Sequence, residues 1–249
     1  MTVPQDTSPL FPLVLVHGAF HGGWCWRDVA RRIRAAGHDV FTPTQTGLGE
    51  RRHLMSPVIS METFVLDIVN LVLVEDLHNV VLVGHSFGGR SVCGVADRMP
   101  ERIRRLILID AGLPLGGLSR LDAMPEEARR QRLEASRAYD GGISVPPPPA
   151  RRFDMTDPEQ IAWVERSLTP QPLGPERTPL VLNHPIGNNR PVTFIHCVEP
   201  AFAVTAANAA YARSQPGWRF IEFAGGHNAI VTHPAEIAEL LLEEARLPT

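Results

Sequence analysis

The sequence predicts an α/β protein, a mostly parallel sheet with helices on both faces and a helical insertion ahead of the last strands. Three observations carry that prediction. Short β-branched apolar runs alternate with longer amphipathic stretches, the pattern of successive βα units. The alternation breaks once, between Gly112 and Pro191, and then resumes. At 249 residues, with 44% apolar and 20% charged side chains, the chain has the size and composition of one globular domain.

Leu13-Val14-Leu15-Val16-His17 is a compact apolar run ending at a glycine, expected as a buried strand. Residues 26–36 set Val29, Ile33 and Ala36 on one helical face and stop at Gly37. A short strand over 38–41 leads into a Gly/Thr/Pro loop through Gly49. Ser60 is the N-cap of a helix running to Leu77. A strand over 79–84, a helix over 87–99 stopped by Pro100, and a strand over 103–109 ending at Asp110 follow. Residues 112–191 hold thirteen of the 23 prolines, Pro146 to Pro149 among them, and no strand pattern. Two helical pieces, 125–139 and 157–168, lie inside. Patterned apolar residues are too few there for a separate core, so 112–190 is expected as a lid inserted into a single domain spanning 1–249. The alternation resumes with a strand over 192–198, a helix over 202–213, a strand over 218–223 and a last helix over 234–247.

Composition removes several function classes. All 24 basic residues are arginine. Without lysine there is no Schiff base to pyridoxal phosphate, no phosphate loop ending in Gly-Lys, and no kinase strand lysine. Against 27 acidic residues the net charge is −3, which offers nothing to nucleic acid or an anionic membrane. No apolar run reaches the ~18 residues of a membrane span. Cys25, Cys93 and Cys197 are odd in number and far apart, so neither a disulfide framework nor a zinc site is expected. Met1 to Pro9 lacks the regions of a signal peptide, and the expected location is the cytoplasm. No metal and no cofactor is expected. A homodimer is left open as the one macromolecular assembly.

Gly84-His85-Ser86-Phe87-Gly88 fits Gly-x-Ser-x-Gly, a pattern that arises by chance in such a chain on the order of one time in ten. Its setting, directly after the apolar run Val80–Val83 and directly before a helix, makes it specific. The turn is tight, so side chains at 84 and 88 would collide. Ser86 is thereby held above the sheet beside a helix N-terminus that favours negative charge. The ordinary alternative is a serine N-cap. A serine nucleophile needs a base in hydrogen-bond reach. Of ten histidines, His227 is the candidate, because it follows the last strand and the flexible pair Gly225-Gly226; His233 is the alternative. His85 is expected to point away as a structural residue. Oxyanion donors are expected from the Phe87 N–H and from the turn His17-Gly18-Ala19-Phe20, with Ala19 the donor. His17 and His21 are four apart, but Gly18 between them argues for a loop rather than a zinc-binding helix.

These residues carry a resemblance. Val14-Leu15-Val16-His17-Gly18-Ala19 with Gly22-Gly23-Trp24, the Gly-His-Ser-Phe-Gly-Gly turn, and Gly226-His227 resemble the α/β-hydrolase superfamily. More narrowly they look like the plant methylesterase and hydroxynitrile lyase group and its bacterial esterase relatives. The resemblance covers nearly all of the chain outside 112–191. It implies the α/β-hydrolase fold with the order Ser, acid, His. In the plant enzymes the acid ends the penultimate strand. Here that segment reads Cys197-Val198-Glu199-Pro200, with proline where the aspartate belongs. The other place open to the acid in this fold follows the strand after the elbow helix, where Asp110 stands. Asp110 is therefore the expected acid and Glu199 the alternative.

The implied activity is hydrolysis of a small carboxylic ester or related acyl compound through an acyl-enzyme. The lyases resemble His-Thr at the first turn and His-Lys at the base, whereas this chain has His17-Gly18 and His227-Asn228. Cofactor-free carbon–carbon cleavage and a non-catalytic small-molecule receptor are the competing readings. The substrate pocket is expected beneath the lid, lined by Phe20, Phe87, Phe153, Met155, Trp163 and Leu168. Nothing in the sequence chooses the ester.

Overall fold

The computed structural model describes residues 10–249. Met1 to Pro9, on which the absence of a leader was read, lies outside the described residues. The strands are β1 (Leu13–Val16), β2 (Val40–Phe41), β3 (Val80–His85), β4 (Ile103–Ile109), β5 (Ser144–Val145), β6 (Gln171–Pro172), β7 (Val192–Cys197) and β8 (Arg219–Phe223). Six of them form one parallel sheet in the order β2-β1-β3-β4-β7-β8. The apolar runs of β1, of β3 over 80–83 and of β4 over 106–109 are uninterrupted because both of their faces are covered. Leu13, Leu15, Val81, Val83, Ile107 and Ile109 point into one core. Val14, Val16, Val80, Leu82, Leu106 and Leu108 point into the other.

The helices are α1 (Arg27–Ala35), α2 (Met61–Val74), α3 (Gly88–Arg98), α4 (Glu126–Asp140), α5 (Pro158–Ser167), α6 (Gly174–Arg177), α7 (Ala206–Ser214), α8 (Ala229–Thr232) and α9 (Pro234–Arg246). α1 and α9 cover the first core through Val29, Ile33, Ile237 and Leu241. α2, α3 and α7 cover the second through Phe64, Ile68, Val92 and Ala212. Ser60 caps α2, accepting from the Thr63 N–H while the Thr63 hydroxyl accepts from the Ser60 N–H.

The segment between β4 and β7 departs from the sequence reading in detail. It does contain strand: β5 and β6 pair antiparallel, Ser144 opposite Pro172 and Val145 opposite Gln171. Two-residue strands carry no alternation to read, and proline argues against a strand. Leu121, Val145, Phe153, Met155, Val164 and Leu173 from this segment join the core on the α1 and α9 side. Its arginines divide. Arg130 pairs with Glu127 and Glu134 on the exposed face of α4, whereas Arg132 turns inward onto the fully buried Glu176. Among the described residues no helix is long and apolar enough to cross a membrane.

Candidate active site

β3 ends at His85 and α3 begins at Gly88, so the chain reverses within two residues. Ser86 sits there at φ +52°, a left-handed conformation that costs about 1–2 kcal/mol for a residue with a Cβ. Neighbouring strands hold it in place. The Ser86 N–H donates to the Ile109 carbonyl at 3.1 Å, and its carbonyl accepts from Gly89 at 3.1 Å and Gly112 at 2.8 Å. The turn also presses on the loop after β1. A Cβ at Gly88 would stand 2.5 Å from the His17 carbonyl oxygen. One at Gly18 would stand 2.8 Å from Ser86 Cβ and 3.3 Å from its Oγ.

Three of the nominated side chains meet in one line. His227, between Gly226 and α8, brings Nε2 to 2.9 Å from Ser86 Oγ. Its Nδ1 lies 2.5 Å from Asp110 Oδ2. An ionised aspartate has no proton to give, so His227 Nδ1 is the donor, and Nε2 carries the lone pair that faces the serine hydroxyl. Asp110 follows β4 at φ +40°, its N–H bound to the Ile195 carbonyl at 2.7 Å. It is fully buried, and its second oxygen accepts from His196 Nδ1 at 3.1 Å and Thr205 Oγ1 at 3.0 Å. His227 is 2% exposed, while Ser86 keeps a partly open face.

The two alternatives lie elsewhere. Glu199 is exposed, its N–H on the Gly225 carbonyl and its carboxylate without a hydrogen-bond partner among the described residues. His233 bonds the Thr232 hydroxyl and packs edge-on against Phe223.

Three further imidazoles surround the line, and burial keeps them neutral. His17 donates from Nδ1 to the Gly18 carbonyl and accepts the Gln45 N–H at Nε2; burial pushes its pKa down to about 3. His21, donating to the Ala19 carbonyl, is pushed to about 4 for the same reason. His85 is held well below the ordinary histidine range by burial and then by its neighbour His227. It does not point away from the site: its Nε2 donates to the His227 carbonyl at 2.8 Å, and the two rings are 5.0 Å apart. The side chain therefore buttresses the loop that carries His227. Among the described residues no three His, Cys, Asp or Glu side chains are grouped as a metal site.

Neither the Ala19 nor the Phe87 N–H donates to another group among the described residues. The turn bearing Ala19 is clipped from the β6 side. Gln171 Oε1 accepts the Phe20 N–H at 3.0 Å, and the Phe20 carbonyl accepts from Thr169 at 2.9 Å. Phe20, at φ +66°, and Phe87 are buried beside the elbow. Phe153 lies over His227 with ring centres 6.3 Å apart and meets His21 edge-on at 5.2 Å. Met155 is buried, its sulfur accepting from Asn228 Nδ2. Trp163 is farther out: it packs edge-on against Trp24 at 5.4 Å and lies under the Arg27 guanidinium. It lines a shallow outer groove of about 500 Å³ with Arg27, Glu159 and Arg166. Leu168 lines a second such groove of about 500 Å³ with Trp24, Glu50 and Arg52. Phe202, which the sequence reading missed, stacks on His227 at 4.1 Å. His196 and Thr205 were missed as well.

With this geometry in hand, likeness to known proteins is informative. The model of the alpha/beta hydrolase family matches residues 13–240. A carbendazim hydrolyzing esterase from Nocardioides sp. (strain SG-4G) is 36% identical over 240 residues, covering 92% of this chain and 97% of that one. Methyl jasmonate esterase 1 from Vitis vinifera is 29% identical over 177 residues, covering 64% of this chain and 66% of that one. The solved structure of an extracellular alpha/beta-hydrolase from a Paenibacillus species superposes with a TM-score of 0.79 at 27% identity, over 95% of this chain and 99% of that one. The chain belongs to the alpha/beta hydrolase family.

Proposed function

We propose that the protein hydrolyses a small carboxylic ester, or a closely related acyl compound, through an acyl-enzyme formed on Ser86. The observation that carries the reading is the buried line from Asp110 through His227 to Ser86, at 2.5 and 2.9 Å, whose polarity allows one histidine tautomer. In that tautomer Nε2 takes the Ser86 proton as Oγ attacks the substrate carbonyl, and returns it to the leaving alcohol. Asp110 holds the ring and stabilises the imidazolium formed meanwhile. The oxyanion is received by the N–H groups of Ala19 and Phe87, the latter also at the start of α3. Water, activated by the same histidine, then releases the acid.

Residues 112–190 serve as the lid. From it Phe153 lies over His227 and Met155 holds the next residue, Asn228, while Phe202 stacks on the His227 ring and Phe20 lies buried on the Ala19 turn. Trp163 reaches this layer only through Trp24 and His21, the latter meeting Phe153 edge-on. The carbendazim hydrolyzing esterase and methyl jasmonate esterase 1, both named as esterases, support an ester as substrate. A fluorophosphonate probe tests the reading. It should label the wild type at Ser86, and Ser86→Ala should lose both label and turnover of p-nitrophenyl esters. An unlabelled Ser86 in an active wild type would overturn it.

A further inference from the structure

Resting on that reading, we propose that His196 is a positioning residue for the carboxylate of Asp110, the donor that fixes Oδ1 and so presents Oδ2 to His227. Asp110 is fully buried, and its two oxygens are divided. Oδ2 receives His227 Nδ1–H, and Oδ1 has two candidate donors, His196 Nδ1 at 3.1 Å and Thr205 Oγ1 at 3.0 Å. The threonine has one hydroxyl proton and a second acceptor in reach, the Phe202 carbonyl at 2.9 Å. A proton given to Phe202 is lost to Asp110. The carboxylate has no proton to offer His196, so the imidazole is the donor committed to Oδ1. Without it, Asp110 is free to turn about its terminal bond, a broad torsion, and to share one oxygen between competing donors.

His196 is well placed for this task. It stands on β7, beside β4, and its side chain is 14% exposed. The ring lies 6.1 Å from Phe220 on β8. The charged groups on the elements around it are Asp110 at the end of β4, Glu222 in register on β8, Arg213 of α7, which is ion-paired to Glu222, and three arginines engaged elsewhere: Arg105 and Arg219 pair with Glu244 of α9, and Arg104 donates to the Ala245 and Leu247 carbonyls. The neighbouring Cys197 thiol is pushed up by burial and then by Asp110, and so stays neutral. Asp110 is thus the unpaired charge that His196 meets. The donated proton withdraws charge from the carboxylate that His227 feels, and this gives a signature that a packing role lacks. Losing the donor leaves Asp110 more basic towards His227, so His227 holds its proton to higher pH.

The test compares wild type, His196→Leu and His196→Asn, using p-nitrophenyl ester hydrolysis across pH and thermal unfolding. The Asn side-chain N–H reproduces the Nδ1 donor. His196→Leu should lower kcat about tenfold with KM within about twofold, as for one lost hydrogen bond to a charged group. It should also raise the midpoint of the acidic limb by about half a pH unit. His196→Asn should recover kcat to within about threefold of wild type. If His196→Leu does not fold, His196→Met takes its place in the comparison. A kcat loss without the pH shift, a loss that Asn does not rescue, or a change in thermal stability alone would overturn the inference. Failure of the underlying reading looks different, since the wild type itself would then lack Ser86 labelling and esterase activity.

Discussion

Replacing Asp110 with asparagine should nearly abolish turnover while leaving the fold intact, and the structure says why the substitution is not neutral. An amide must choose which side faces which neighbour. Oδ1 faces the committed donor His196 Nδ1–H at 3.1 Å, with the Thr205 hydroxyl shared between it and the Phe202 carbonyl, so the amide oxygen stays there. The NH2 group is then turned towards His227 Nδ1, where Oδ2 lay at 2.5 Å. Two donors cannot share that contact. The imidazole proton moves to Nε2, which then donates towards Ser86 at 2.9 Å and can no longer accept its proton. Loss of the correct tautomer costs about 10⁴ in kcat where a triad acid has been replaced in this way, equivalent to about 5.5 kcal/mol. Steady-state hydrolysis of p-nitrophenyl butyrate should show that loss in kcat with KM little changed, and a circular dichroism melt close to wild type. Glu199→Gln, at an exposed site, should stay within about twofold of wild type. A loss below tenfold in Asp110→Asn, or a larger loss in Glu199→Gln, would refute the assignment of the acid.

Other consequences are equally concrete. His17 and His21 have folded-state pKa values of about 3 and about 4, below the ordinary value of 6.5, so the unfolded chain binds protons first as pH falls. Their contribution is whole above about pH 6.5 and erodes below it; by pH 5 the two together remove about 4 kcal/mol, with His85 acting in the same direction. Urea midpoints measured at pH 7 and pH 5 should differ accordingly, and equal midpoints would contradict neutral burial of these rings. Gly18→Ala forces a Cβ to within 2.8 Å of Ser86 Cβ, so kcat/KM should fall about a hundredfold by displacement of the nucleophile. Gln171→Ala leaves the buried Phe20 N–H without its acceptor and should cost about 1–3 kcal/mol in chemical denaturation, with a drop in kcat as the Ala19 turn loosens.

The sheet was readable because β1, β3 and the later half of β4 are buried on both faces, which writes the apolar runs 13–16, 80–83 and 106–109 into the chain. Ser86 stood out because its glycines fall between a strand and a helix, and His227 because a glycine pair frees the loop before it. Asp110 rested on the resemblance: Pro200 stands where the plant enzymes carry the acid, and the other place this fold offers for it follows β4. Other parts had no local signal. β5 and β6 are two residues each and exist through pairing across the insertion. The clip from Gln171 to Phe20 spans 151 positions, and His196 meets Asp110 across 86. Contacts of that kind depend on which strands become neighbours, and no periodicity records them. His85 illustrates the converse: adjacency to Ser86 pointed to a side chain turned away from the elbow, whereas the strand alternation that sends Val81 and Val83 to the α1 and α9 side carries His85 on to the His227 loop.

Hydrolysis through Ser86 requires a covalent intermediate at one oxygen atom. Rapid mixing of the enzyme with p-nitrophenyl acetate, followed by acid quench and peptide mass spectrometry, addresses it directly. The expected result is a burst of about one equivalent of p-nitrophenol per chain and an acetyl group on the peptide at Ser86. An acetyl group on any other residue, or full turnover by Ser86→Ala, would contradict it.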